Sequence, residues 1–186
     1  MRFLLLSLLL LPALAPAQSS DSWLFLTGYS GLNSWTTEGS SSESGFGIGG
    51  RIGIGSSTVA LIADGNVSRL STAGGNTSSA YNFWQGLLGV QVTFGSRQGP
   101  VRPYIDGGVL GVRAAFQEPT EITFLGWGGA GSAGVLYFIT PKIAVNARGT
   151  YTRGQIVAFQ VGDRREWTNE TDFSGFQAQI GLTLYP

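Results

Sequence analysis

From Trp23 onward the chain alternates apolar and small polar residues with a period of two, in short runs broken by Gly, Ser, Thr, Asn and Pro. That period sends successive side chains to opposite faces of an extended strand, whereas a helix repeats every 3.6 residues. Eight runs read as strands: Trp23–Leu32, Gly45–Gly55, Val59–Ser68, Tyr81–Phe94, Arg102–Phe116, Phe124–Phe138, a seventh from Ile143 and an eighth that ends the chain. In the second, Phe46, Ile48, Ile52 and Ile54 oppose Gly45, Gly47, Gly49, Arg51 and Gly53. In the third, Val59, Leu61, Ala63 and Val67 oppose Ala60, Ile62, Asp64, Asn66 and Ser68. The fourth sets Leu88, Val90 and Val92 against Gln85, Gln91 and Thr93, and the seventh sets Ile143, Val145 and Tyr151 against Asn146, Arg148 and Thr150. In the eighth, Phe176, Ile180, Leu182 and Leu184 oppose Gln177, Gln179 and Thr183. The first, fifth and sixth runs leave their facing open.

Such alternation fits a soluble barrel, apolar side inward, or a membrane barrel, apolar side outward. The polar face decides between them. It is built from Gly, Ser, Thr, Asn and Gln, whereas strands that face water usually show Lys and Glu. Its few charges are Arg51, Asp64, Asp106 and Arg148, balanced in sign and each a few residues from a short connection. They read as a paired network inside the barrel, because buried charge survives only when paired. Charged residues are 12% of the chain, about half the ~25% of soluble domains, while 29 of 186 residues are glycine.

The 11 basic and 11 acidic residues cancel, which leaves no footprint for nucleic acid. With no His and no Cys, Ser–His and Cys–His catalysis, histidine or thiolate metal sites and disulfides are all excluded. The expectation is a non-enzymatic protein with no catalytic residue, cofactor or metal.

The amino terminus has the three-part layout of a secretory signal: Arg2, an apolar run from Phe3 to Leu14, and a small-residue cleavage site at Ala15-Pro16-Ala17. The run is shorter than the ~20 residues that span a bilayer. Residues 1–17 are therefore read as a signal peptide for the Sec pathway, cleaved after Ala17, and 18–186 as a single barrel domain. The connections alternate in length, with 33–44, 69–80 and 154–172 long and 56–58 and 139–142 short. Outer-membrane barrels likewise pair short periplasmic turns with longer outer loops. Phe94, Tyr104, Phe138 and Tyr185 would mark a periplasmic aromatic girdle, and Tyr29, Phe46, Trp84, Phe116, Phe124 and Tyr151 an outer one.

Pro103-Tyr104-Ile105-Asp106-Gly107-Gly108 with Gly111 resembles the Pro-Tyr-x-x-x-Gly strand of small OmpA/OmpX-type outer-membrane barrels. Gly134 through Lys142 is similar to their sixth strand and tight turn, and Ile143–Tyr151 to the strand that follows. The chain departs from that pattern at Tyr185-Pro186, where family members end on an aromatic residue. The resemblance implies an all-β fold: an eight-stranded antiparallel up-and-down transmembrane β-barrel in a bacterial outer membrane. It implies contact with membrane lipid and lipopolysaccharide, insertion by the outer-membrane assembly machinery, and an envelope-structural or surface-contact role, with a surface protein or host ligand as partner. Eight strands leave an interior that side chains fill, so no open pore is expected.

Gly45-Phe46-Gly47-Ile48-Gly49-Gly50 matches a dinucleotide fingerprint but lacks the strand–helix context that would make it one. It reads instead as a strand whose glycines make room in a narrow barrel. Asn66, Asn76 and Asn169 begin formal glycosylation sequons, chance matches in a bacterial barrel. Alternation past Tyr151 through Ile156, Phe159 and Val161 suggests that the last hairpin projects as a β-ribbon open to strand addition. Trp35, Phe159 and Trp167 are the candidate surface-contact residues. Rival classes are a soluble lipocalin-like barrel for an apolar ligand, a lipid-modifying enzyme and a narrow porin. N-terminal sequencing of the protein recovered from cell envelopes is expected to begin at Gln18; Met1 at that position would refute cleavage.

Overall fold

The computed structural model describes residues 24–39, 41–72, 80–96, 99–116, 122–161 and 164–186, with backbone alone at 72 and 164–170. The signal segment 1–17, its cleavage site and Asn76 lie outside them. Eight strands run in order: β1 (Leu24–Thr37), β2 (Glu43–Gly55), β3 (Val59–Thr72), β4 (Tyr81–Thr93), β5 (Val101–Phe116), β6 (Ile122–Thr140), β7 (Ile143–Val161) and β8 (Arg164–Leu184). Each pairs antiparallel with the next, and β1 returns to β8 from Leu26↔Leu184 through Thr37↔Phe173, closing the barrel. Closure removes the open edges that a twisted eight-stranded sheet would otherwise present.

The outward face is apolar all the way round. Leu26, Leu32, Ile48, Ile54, Leu61, Leu88, Ile105, Val109, Trp127, Ile180 and Leu182 are all exposed, Leu88 by 69%. On β1, Leu24, Leu26 and Leu32 point out and Phe25, Thr27, Tyr29, Asn33 and Trp35 point in. On β5, Val101, Ile105 and Val109 point out, against Arg102, Tyr104, Asp106 and Leu110. The outward β6 residues include Trp127 and Ile139, with Ser132, Leu136 and Phe138 inside. These three strands were the ones whose facing the sequence left open. An apolar coat around a polar, charged interior is the reverse of a lipocalin-like barrel and overturns that alternative.

The barrel is taller at one end than the sequence reading placed it. Strands β7 and β8 span 19 and 21 residues, well beyond the ~9–11 that cross a bilayer. Residues 33–37 and most of 154–172, expected as loops, belong to strands, because the period-two pattern tolerates Gly, Thr and Asn where both neighbours pair. The expected two-stranded ribbon is also broader. β6 pairs with β7 as far as Ile122↔Val161, and β7 with β8 as far as Val161↔Arg164, with a bulge between Ile156 and Ala158. A wall of β6, β7 and β8 thus rises on one side, flanked by β5, which stays paired with β6 as far as Phe116↔Ile122.

The aromatic girdles need correction too. Phe46, Trp84 and Tyr151 face outward near the tall end and Phe94 near the other, joined by Trp127 and Phe176. Tyr29, Tyr104 and Phe138 are buried inside, and Tyr185 packs inward against Phe25 and Phe138 at 5.8 and 5.4 Å between ring centroids. Together with Leu136 and Ala144, these rings seal the tight-turn end. Phe116 and Phe124, expected in the outer girdle, line the interior at the tall end; the facing of β1, β5 and β6 is open in the sequence, whereas Tyr185 follows the inward parity of Gln177, Gln179 and Thr183 on β8.

Inward glycines make space for the buried rings. A Cβ on Gly49 would stand 2.5 Å from the Tyr29 ring, and one on Gly134 would stand 2.5 Å from the Tyr104 ring. The Gly-rich stretch 45–50 is therefore a packing device. Outside, Gly28, Gly50, Gly65, Gly86 and Gly111 form one row in register, where a Cβ would meet nothing or only distant backbone. Gly49→Val is expected to displace Tyr29 and cost ~1–3 kcal/mol of overpacking, read as a lower urea midpoint for the refolded barrel. Gly65→Ala should leave that midpoint within error.

Candidate functional site: a charged interior and an aromatic mouth

The period-two alternation and the barrel register bring four charged side chains to one level of the interior. Arg51 on β2 lies opposite Asp64 on β3, and Gln91 on β4 opposite Asp106 on β5. Arg51 Nε donates to Asp64 Oδ2 at 2.8 Å and Nη1 donates to Asp106 Oδ2 at 2.8 Å. Arg148, across the lumen on β7, donates through Nη1 to the same Asp64 Oδ2 at 2.7 Å. The Tyr29 hydroxyl donates to Asp64 Oδ1, and the Arg148 guanidinium lies 5.0 Å over the Tyr29 ring. Gln91 accepts from Arg51 at 3.1 Å and Gln179 from Arg148 at 2.6 Å.

All four predicted residues, Arg51, Asp64, Asp106 and Arg148, thus meet in one paired cluster spanning the lumen. The sequence missed Tyr29, Gln91, Gln179 and Tyr104, whose hydroxyl donates to Asn146 at 2.7 Å. Their inward parity on β4 and β8 was legible; on β1 and β5 it was not. Asp64 is engaged by both guanidinium groups and the Tyr29 hydroxyl, and Asp106 by Arg51 through Oδ2, while Asp106 Oδ1 is buried without a hydrogen-bond partner among the described residues. The interior voids beside them measure about 20 and 10 Å³, the scale of single water sites.

Above this cluster the interior turns apolar again, through Leu87, Leu110, Val112, Phe83, Trp35 and Phe173. Trp35 corrects an expectation. Proposed as an exposed loop residue, it lies on β1, pointing inward and 5% exposed, because β1 continues past Leu32 to Thr37 with unbroken alternation. It stacks on Phe173 at 4.4 Å and meets Phe83 at 4.3 Å between ring centroids. Trp167, also expected in a loop, sits on β8 in register with Ala158. Phe159 is half-buried on β7, between Phe124 and Glu166 in register.

At the tall end the barrel opens into a cavity of about 320 Å³, lined by Trp35, Tyr81, Phe83, Phe116, Phe124 and Ile156, with Glu38 and Glu43 on one side. Tyr81 stacks on Phe116 at 4.2 Å, and Phe116 meets Phe124 edge-on at 5.7 Å. The Tyr81 hydroxyl donates to Glu43. Burial, reinforced by that carboxylate, holds the hydroxyl protonated well above its ordinary range. Glu38 is tied down through its backbone N–H to the Asp172 carbonyl at 2.9 Å. The inward parity of Tyr81 and Phe83 with Gln85 was the available signal for this mouth.

A closed eight-stranded barrel with an apolar coat and a filled, charged interior defines a class, the small outer-membrane barrels. The family described as outer membrane protein beta-barrel domain matches residues 3–184, and the chain belongs to it. No curated protein sequence matches the chain significantly. Among solved structures, the fold is similar to neisserial surface protein A (TM-score 0.67, 16% identity), covering 89% of this chain and 98% of that one. It is also similar to AlkL in lipid bilayers (TM-score 0.57, 15% identity, 93% of each chain). Ail of Yersinia pestis matches at a TM-score of 0.52 and 11% identity, over 89% of this chain and all of that one. These likenesses concern the fold.

Asp64 carries two guanidinium groups, so its loss leaves Arg148 without its carboxylate and Arg51 with Asp106 alone. Asp64→Ala is expected to destabilise the barrel by ~3–5 kcal/mol, read from urea unfolding in lipid vesicles. The double variant Asp64→Ala, Arg148→Met should recover part of that loss; a double variant no more stable than the single one would refute the pairing.

Proposed function

We propose that the chain is an integral protein of a bacterial outer membrane, non-enzymatic and closed to solutes, that serves envelope structure and surface contact through its tall end. The observation that carries this reading is the inversion of polarity: from the other end of the barrel up to the level of Phe46, Trp84, Tyr151 and Phe176 the outward strand residues carry no charge, outward Arg69 and Arg113 standing at that level and Arg153 beyond it, and the interior holds the ion pairs. Water would penalise that coat heavily, whereas a bilayer matches it. Closed backbone pairing meets the other demand of lipid, that no strand edge goes unsatisfied at membrane depth.

In this reading residues 1–17 direct export through the Sec pathway and are removed after Ala17, leaving the barrel domain 18–186. The connections 56–58, 94–100 and 141–142 face the periplasm. The connections at 38–42, 73–80, 117–121 and 162–163 face outward, among lipopolysaccharide. The assembly machinery inserts the barrel. The wall of β6, β7 and β8, which carries Phe159 and Trp167, is the surface best placed to meet a surface protein or host ligand. The apolar rings sealing the tight-turn end and the ion pairs above them favour a closed interior over a narrow porin.

Two measurements test this together. Protein from the outer-membrane fraction is expected to run as a compact band on SDS gels and to shift on boiling. Leu88→Arg, at the middle of the coat, should cost ~2–4 kcal/mol of stability in lipid vesicles. Recovery in the soluble periplasmic fraction, or a Leu88→Arg variant as stable as the parent, would refute the membrane reading.

A further inference from the structure

The mouth at the tall end has the form of a ligand site that the membrane-barrel reading does not use. Its volume of about 320 Å³ lies at the lower end of the ~300–1,000 Å³ range of small-molecule pockets. Its rings are held by one another, Tyr81 on Phe116, Phe116 against Phe124 and Trp35 between Phe83 and Phe173, so the walls are formed before any ligand arrives. Its charge is one-sided. Glu38 and Glu43 border it, and none of the described residues lining it is basic. Aromatic faces carry negative electrostatic potential and attract a cation placed over them. Rings and carboxylates therefore select in the same sense: for positive charge and against anions, with an apolar body welcome.

We propose that this mouth binds a small organic cation, an ammonium group joined to one aromatic or branched alkyl body. The ammonium sits toward Glu38 and Glu43 on the β1–β2 side, and the apolar body sits against Phe116, Phe124 and Ile156 on the β5–β7 side. Tyr81 links the halves, stacked on Phe116 and hydrogen-bonded to Glu43. Below, Trp35 and Phe83 form a floor, so the ligand is held at the outer end and does not pass through. The site needs the folded barrel but does not depend on which compartment its mouth faces.

The test is calorimetric titration of the full barrel in a maltoside detergent, which carries no ammonium group of its own, with empty micelles as the blank. Benzyltrimethylammonium is the probe; benzyl alcohol and benzylsulfonate are its neutral and anionic counterparts. Saturable binding is expected for the cation, about tenfold weaker binding for the alcohol and none for the sulfonate. Glu38→Gln with Glu43→Gln should weaken the cation about tenfold and leave the alcohol unchanged. Ala114→Phe, which fills the cavity without touching the carboxylates, should abolish binding of both. Each variant is checked by its heat shift on SDS gels; if the double variant does not fold, Glu38→Gln alone carries the charge test, with a weaker but measurable loss expected. Equal affinity for cation and alcohol, absence of saturable binding, or binding that survives Ala114→Phe would overturn the proposal. A loss of heat shift in the parent protein would instead strike at the barrel reading itself.

Discussion

The Asp64 carboxylate holds the interior together. One of its oxygens takes a hydrogen bond from Arg51 and another from Arg148, and the other oxygen takes the Tyr29 hydroxyl, so β1, β2, β3 and β7 meet at one side chain. Arg51 extends the connection to Asp106 on β5. An eight-stranded barrel has a lumen only as wide as its side chains, and a charge placed there cannot reach bulk water. Such a charge costs several kcal/mol unless it is paired and hydrogen-bonded. The pairing across the lumen accordingly decides which side chains can stand beside it: glycines where Tyr29 and Tyr104 need room, and glutamines where a guanidinium needs a further acceptor.

That interior and the apolar coat are two consequences of the same alternation. Each strand sends one set of residues to the lumen and the other to the surroundings. When the inward set is polar and charged, the outward set is free to be wholly apolar. In water this would be an aggregating surface; against hydrocarbon it is the stable arrangement. The interior is layered along the barrel axis: an aromatic seal at the tight turns, the ion pairs above it, a second apolar layer around Trp35 and Phe83, and the open mouth. The first three layers are filled by side chains of different chemistry, and the last is open.

The tall end follows a different logic. There the strands run on beyond the coat, and the wall formed by β6, β7 and β8 stands above the level at which β1 leaves β8. Freed from hydrocarbon, these segments carry charges outward, among them Arg153 and Asp172, 3.5 Å apart and exposed. Inward they still alternate, and this continuation places Trp35, Tyr81, Phe116 and Phe124 around the mouth rather than on the exterior.

Strand count, antiparallel order, the facing of β2, β3, β4, β7 and β8, and the four charges that meet inside were all legible in the order of the residues. A period of two needs no tertiary information, and four charges on otherwise uncharged faces have few partners to choose from. The facing of β1, β5 and β6 was not legible, because Gly occurs on both of their sides and blurs the alternation. Trp35 was misplaced because the first strand was ended at Leu32; its true end depends on β2 and β8 continuing to pair with it, which no local signal reports. The sequence by itself determined that the chain alternates and that its charges must be internal. Only the closed structure decided which rings seal one end and which surround the other, because that depends on the register in which eight strands meet around a lumen too narrow for more than one set of side chains.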